Sequence, residues 1–230
     1  MKIIFIDMTA PGEYALPDLK KKAMGGTESS VIKLAHALSE KHEVQVAQKH
    51  RKVGKVIEGV EYKVLGETDM TEQRTVYVGL RTPAVFASFK VNPDAPKVLW
   101  MHDLAEGILN WQAIGFMESL PNLITLGVSR THRQNIKDMI AANGTGKKVK
   151  TDYVYNIVDA QKQGLKKDPN KLVFFSSPHK GLTQVLSVFK RIREVNPDYK
   201  LYIANPGYYE ESTQLPEGVV DLGKLTQAQI

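Results

Sequence analysis

The sequence predicts an α/β protein: a parallel sheet with crossover helices, divided into two units. Three observations carry this. Short β-branched or aromatic runs alternate along the chain with segments of helical period. Two of the runs, KVLWM at 97–101 and LITLGV at 123–128, are near-continuously apolar, as strands buried on both faces are. Of the 230 residues, 42% are hydrophobic, enough to fill a sizeable core.

In chain order, residues 3–7 read as the first strand. A helix follows over 25–40, with Val31, Leu34, Ala35 and Leu38 on one face. Strands are expected at 43–48, 62–65, 75–78, 97–101 and 123–128. A helix over 130–142 stops at Asn143-Gly144, and a strand follows at 152–156. Two basic, Gly- or Pro-punctuated stretches flank that strand: NGTGKKVK at 143–150 and QKQGLKKDPN at 161–170. The second reads as a linker, giving units at 1–160 and 171–230. Beyond it come a strand at 172–175, a helix over 181–195, a strand at 200–204 and a short one near 219–222. The helix has the clearest period in the chain, with Leu182, Val185, Leu186, Phe189, Ile192 and Val195 on one face and Asn196-Pro197 ending it.

Lys+Arg 31 against Asp+Glu 25 leaves a net charge of +6, which favours anionic partners such as phosphates, nucleic acid or anionic lipid. The absence of cysteine excludes disulfides, thiolate metal sites and Cys nucleophiles, and fits a reducing cytoplasm. The opening run MKIIFID is too short for a signal segment, and no stretch reaches the roughly 18 apolar residues of a spanning helix. The expectation is a cytoplasmic protein, with peripheral membrane contact left open. The lysine runs at 20–22, 147–150 and 166–167 read equally as solvated loop charge, and without an aromatic stacking platform nucleic acid is not the expected partner.

In open α/β sheets ligands bind at the carboxyl ends of the strands, so the loops there matter most. Gly25-Gly26-Thr27-Glu28 opens a helix where glycine admits close approach of a phosphate; the bland reading is a flexible turn in which Thr27 or Ser29 caps the helix. His102-Asp103 ends the 97–101 strand. The histidine would hydrogen-bond a substrate hydroxyl or act as acid or base, oriented by Asp103, or would simply be satisfied by backbone. Ser129 is placed to cap the following helix, where Arg130 and Arg133 would reach a phosphate. Asn156 lies where the next strand meets the crevice, or in a plain turn. Ser177, Lys180 and Gly181 join a strand to the strongest helix, so that a cation and helix amides would clamp a diphosphate. His36, His42 and His50 read as ordinary surface or core histidines. No His and carboxylate pair has metal-ligand spacing, so no metal is expected.

Assembled, these segments resemble a family-4 retaining glycosyltransferase of the GT-B fold. GGTESSVIKLAHALSEKHEVQV (25–46) resembles the family's Gly-Gly-x-Glu helix and following strand, VSRTHRQNI (128–136) its "vS" strand end, and NIVD (156–159) its "NGVD" hinge. FFSSPHKGLTQVLSVFKRIREVNPDYKLYIANPG (174–207) resembles its "KG" strand–helix–strand. The resemblance implies two Rossmann-like domains and metal-independent, retaining transfer from a nucleotide-diphosphate sugar to a hydroxyl acceptor on a glycan or lipid. It casts Lys180 as the diphosphate lysine, Gly25 and Gly26 as the phosphate-facing loop and His102 as the histidine facing the reacting sugar. The arginine usual a few residues before that lysine is replaced, with Phe175 and Ser176 standing there. The family's E-x7-E segment and final helix do not occur in these 230 residues. The expectation is thus a shortened transferase, a fragment or a chain completed by a partner, with self-association covering an incomplete second unit. The alternative is a degenerate transferase that binds a nucleotide or phosphate without turnover.

Overall fold

The computed structural model describes all residues except 146–148, 159–163, 165, 206–214, 227, 228 and 230. Much of the expected linker, Asp159 of the NIVD stretch and part of the basic 143–150 segment lie outside the described residues. The elements run β1 (Lys2–Asp7), α1 (Asp18–Lys21), α2 (Gly26–Ser39), β2 (Glu43–Gln48), β3 (Lys55–Ile57), β4 (Val60–Val64) and β5 (Thr75–Leu80). They continue α3 (Ala84–Ser88), β6 (Lys97–Trp100), α4 (Trp111–Ser119), β7 (Leu123–Gly127), α5 (Arg130–Asn143) and β8 (Lys150–Tyr153). The last are β9 (Lys171–Phe175), α6 (Leu182–Val195), β10 (Lys200–Asn205) and β11 (Val219–Lys224). By packing, the chain divides into one unit of Met1–Ala15 with Ser30–Val158 and another of Leu16–Ser29 with Asp159–Ile230.

The first unit is an eight-stranded sheet in the order β3-β4-β2-β1-β5-β6-β7-β8. All its pairings are parallel except that of β3 with β4, a hairpin turned at Glu58 (φ 44°) and Gly59 (φ 82°). Two positive φ angles in succession match the right-handed twist of the flanking strands. From β1 the chain steps outward through β2 to β4, returns to β5 on the other side of β1, and steps outward again through β6, β7 and β8. The order therefore reverses between β1 and β5, which opens a crevice at the carboxyl ends of the strands.

Burial explains the apolar runs. Ile4, Phe5 and Ile6 of β1 are all buried, so both sheet faces are covered there. On one face Ile4, Ile6, Tyr77, Leu99 and Leu123 share a core with Val85 and Phe86 of α3, Ile114 and Met117 of α4, and Ile136 of α5. Gly79 of β5 lies under α3, where a Cβ would run into Val85 and Phe86. At the amino end of β6, Lys97 is 2% exposed and donates from Nζ to the carbonyls of Pro93 (2.7 Å) and Ala95 (2.9 Å). Burial holds its pKa below the ordinary lysine value. This lysine is a tie between loops, its Nζ donating to their carbonyls.

Several boundaries differ from those read in the sequence. The expected strand at 152–156 is β8, Lys150–Tyr153, because its pairing with β7 runs from Lys150 opposite Ile124 to Tyr153 opposite Gly127. Asn156 consequently lies beyond the strand. The expected helix at 181–195 is α6, Leu182–Val195, preceded by a single 3-10 turn at Pro178–Lys180. Gly181 separates the two with φ 109°, a conformation that side chains rarely adopt. Helix α4 was not read at all, although Asn110 caps it by accepting from the Ala113 amide at 2.8 Å. Gly115 interrupts its apolar spacing and weakens the periodic signal.

The second unit holds a three-stranded parallel sheet ordered β11-β10-β9. Leu182, Leu186 and Phe189 of α6 pack with Leu201 and Ile203 of β10, and Leu172 and Phe174 of β9 join them. The alternate residue Val173 is 55% exposed, on the side of β9 away from that core.

Candidate functional site

At the switch point, the last residue of β1 is a buried carboxylate. Asp7 Oδ1 accepts from the amides of Thr9 and Ala10, both at 2.9 Å, and from the Thr9 hydroxyl. Its Oδ2 accepts from the Tyr14 hydroxyl at 2.8 Å. Gln48 and Arg51 donate to the Tyr14 carbonyl at 2.8 and 3.0 Å and fix the far end of the same loop. Both carboxylate oxygens of Asp7 thus help to set the 8–15 loop over the carboxyl edge of the sheet.

On the other side of the switch point, Arg81 follows β5 directly. Its φ of 67° is unusual for a residue with a side chain, and its amide donates to the Trp100 carbonyl at 2.9 Å. The Arg81 guanidinium lies 3.8 Å from the Asp103 carboxylate. His102 stands just beyond β6, its ring 4.5 Å from that of Trp100. Its Nε2 is buried and has no hydrogen-bond partner. Burial first, and then the positive charge of Arg81, push its pKa down to about 4, against the opposing pull of Asp103. The imidazole is therefore neutral at pH 7, suited to hydrogen-bonding a hydroxyl and not to donating a full proton. The expected hydrogen bond between Asp103 and His102 is not among those formed: Asp103 acts on the ring through charge and is itself paired with Arg81.

Beyond β7, Ser129 caps α5 by accepting from the His132 amide at 3.0 Å. The bland expectation for Ser129 describes its role. Gly127 fits beneath the first turn, where a Cβ would lie 2.9 Å from the Arg133 amide. The helix thereby buries His132, whose Nδ1 accepts from the Val128 amide at 3.2 Å and whose Nε2 has no partner. Arg133 sits over the Tyr153 ring, 5.3 Å from its centroid and 3.6 Å from the Asp152 carboxylate, with its Nε buried and unpartnered. Arg130 is exposed, and a hydrogen bond with Tyr153 raises its pKa. Asn156, past β8, keeps its Oδ1 buried without a partner.

The remaining predicted residues fall in the second unit. Gly25 accepts the first helical bond of α2 from the Ser29 amide at 3.1 Å, so Gly25 is the cap residue. The expectation that Thr27 or Ser29 caps this helix is corrected: both lie inside it, and the Ser29 hydroxyl donates to the Gly26 carbonyl at 3.1 Å. Gly26 is exposed, and a Cβ on it would meet nothing within 4 Å. Thr27 and Glu28 are buried, the carboxylate lying in the first turn where the helix dipole favours negative charge. Ser177 is 1% exposed, and its carbonyl accepts from the Lys180 amide at 2.9 Å to close the turn before α6. Lys180 itself is exposed at the end of that turn.

The structure thus brings His102, Asp103 and Arg81 together at one edge of the first sheet, with His132 and Asp7 also acting on His102 through their charge. Sequence reasoning did not select Asp7, Arg81, Trp100 or His132. Among the described residues no group of three or more His, Asp or Glu is placed to hold a metal ion, and no helix is long and apolar enough to cross a membrane. No protein-family model matches the chain, and no curated protein matches its sequence. The architecture defines an α/β protein with a Rossmann-like, mostly parallel central sheet.

Proposed function

We propose that the chain is a sugar transferase of the GT-B type, resembling the family-4 retaining enzymes, that moves a sugar from a nucleotide-diphosphate donor to a hydroxyl acceptor. One observation carries the reading most directly. The carboxyl edge beside the β1/β5 switch point gathers a neutral His102, its Nε2 without a hydrogen-bond partner, with Arg81, Asp103 and His132, where a doubly wound sheet binds its ligand. A neutral imidazole there accepts or donates one hydrogen bond to a sugar hydroxyl without adding charge. Lys180, ahead of α6, supplies the cation for a departing diphosphate, and Gly26 leaves room for a phosphate to approach backbone.

The deciding measurement is calorimetric titration of the chain with UDP, GDP and ADP, followed by the sugar conjugates of the tightest binder. Saturable binding of one nucleotide, weakened about tenfold or more by Lys180→Ala in a protein that still melts cooperatively, is the expected result. His102→Ala is expected to spare that binding and lower transfer. Binding of none of the three nucleotides would remove the transferase reading. Binding without turnover of any conjugate would leave a nucleotide-binding module.

A further inference from the structure

Helix α6 packs one apolar stripe, Leu182, Leu186 and Phe189, onto β10, and carries a second that faces away from it. Val188 is 56% and Val195 88% exposed, and Ile192 between them is half-buried. Spacings of four and three residues put these three on one side of the helix, about 120° round from the stripe that meets the sheet. Together with Arg191, Glu194 and Tyr199 they line a groove of about 580 Å³. Valine is a poor helix former, so neither propensity nor the core of this unit accounts for it at 188 and 195.

The two charges of the groove are of opposite sign and uncommitted. Arg191 and Glu194 are exposed, and among the described residues neither is in an ion pair, whereas Arg193 of the same helix pairs with Glu217 at 3.2 Å. Both lie on the flank of the outer stripe that is turned from the sheet. An apolar stripe edged by one cation and one anion is complementary to itself when turned end for end. Two copies of α6 laid antiparallel about a two-fold axis between 191 and 192 set Val188 of each copy opposite Val195 of the other. Such an axis keeps like flanks together, so Arg191 of each copy stands about two residues, or about 3 Å along the helix, from Glu194 of the other. The sheet edge at β11 is a poorer place for a second copy. Its pairing with β10 shifts register, Gly223 has φ 65°, and the Asp221 carboxylate accepts from the Gly223 amide at 2.8 Å, which interrupts the row of groups another strand needs.

We propose that the outer face of α6 is the surface on which two copies of this chain associate, antiparallel and two-fold, burying Val188, Ile192 and Val195 and pairing Arg191 with Glu194 between copies. One helix face is smaller than the roughly 1,200 Å² at which standard interfaces begin, so the dimer is a weak one that forms as the chain is concentrated. The inference rests on the second unit alone and is independent of the transferase reading.

The test follows the whole chain by sedimentation velocity and light scattering from about 10 μM to about 1 mM, the range in which weak encounters of this size populate. The mean mass is expected to rise towards twice that of one chain. Val195→Glu changes an exposed position outside the core and is expected to weaken association about tenfold or more. The charges give the sharper reading. Arg191→Glu leaves two anions on the flank and Glu194→Arg two cations, so each variant alone is expected to stay monomeric. An equimolar mixture of those two variants is expected to form a heterodimer, and the double variant Arg191→Glu/Glu194→Arg to dimerise as wild type does. A chain that is monomeric throughout, a Val195→Glu protein that associates as tightly as wild type, or a mixture no more associated than its components overturns the surface. A monomeric wild type that co-sediments with phosphatidylglycerol vesicles, where Val195→Glu does not, overturns it in favour of a membrane surface.

Discussion

His102 shows how much one residue depends on where the backbone leaves it. Its position after a buried strand takes it out of water, and Arg81 adds a positive charge beside it, so the proton that an exposed imidazole holds at pH 6 is absent here. Two consequences follow. On the proposed transferase reading, the rate of transfer should show no titration of His102 near pH 6.5, since that ring stays neutral down to about pH 4; a pH–rate profile with a step near 6.5 that persists in His102→Gln would assign that step to another group. Stability behaves differently. Between about pH 6.5 and 4 the unfolded chain binds a proton at His102 that the native chain does not, so stability falls as pH drops through this window, by roughly 3 kcal/mol at its lower end. Urea unfolding at pH 7 and pH 4.5 should show most of that loss in wild type and much less of it in a folded His102→Gln.

At the scale of elements, the turn from β7 into α5 sets His132 and Arg133 in place. Gly127 allows the helix to start tight against the strand, and Ser129 closes its first turn. Ser129→Ala is expected to cost about 1 kcal/mol, the usual worth of a cap, and to leave ligand affinities near wild type. Gly127→Ala should do more, because the new Cβ presses on the Arg133 amide and the His132 ring: about 1–3 kcal/mol by overpacking, together with displaced His132 signals in the ¹⁵N spectrum. Denaturant midpoints and those spectra separate the two effects. A Gly127→Ala protein as stable as wild type with unmoved His132 would show that this turn is not the constraint described. Some of this was open to sequence reading. Ser129 after a buried strand is a recognisable cap, and Asn110 before α4 would have been one had its helix been sought. His132 offered no such signal, because its burial comes from the absent side chain at Gly127.

For the whole molecule, the two units differ in how their strands are protected. β1, β5 and β6 of the first unit have neighbours on both edges, and their residues are buried across both faces; in the second unit β9 and β11 are edges, and Val173 is half exposed. Hydrogen exchange should therefore be slowest for amides of β1, β5 and β6, and clearly faster for β9 and β11. Equal protection of both sheets would mean that the second is covered by something beyond its own three strands. Burial of Lys97 at the amino edge of the first sheet belongs to the same picture. The candidate site residues His102, Asp103 and Arg81 lie at the carboxyl edge, while the opposite edge spends a charged side chain on holding loops together.

The sequence by itself determined the alternation of strands and helices, the helices α2, α5 and α6 to within a residue or two, and the loops that lead off the strand ends. Those features follow from local periodicity, caps and glycines, which act over a few residues. It also placed His102 at a strand end. Only the tertiary structure decided the strand order with its reversal between β1 and β5, and with it the neighbours that make His102 neutral. Asp7, Arg81, Trp100 and His132 come from four separate stretches of chain, and each is unremarkable alone. Their roles arise from burial and from charges brought close by parallel pairing, quantities that depend on which strands lie side by side and not on which residues are adjacent in the chain.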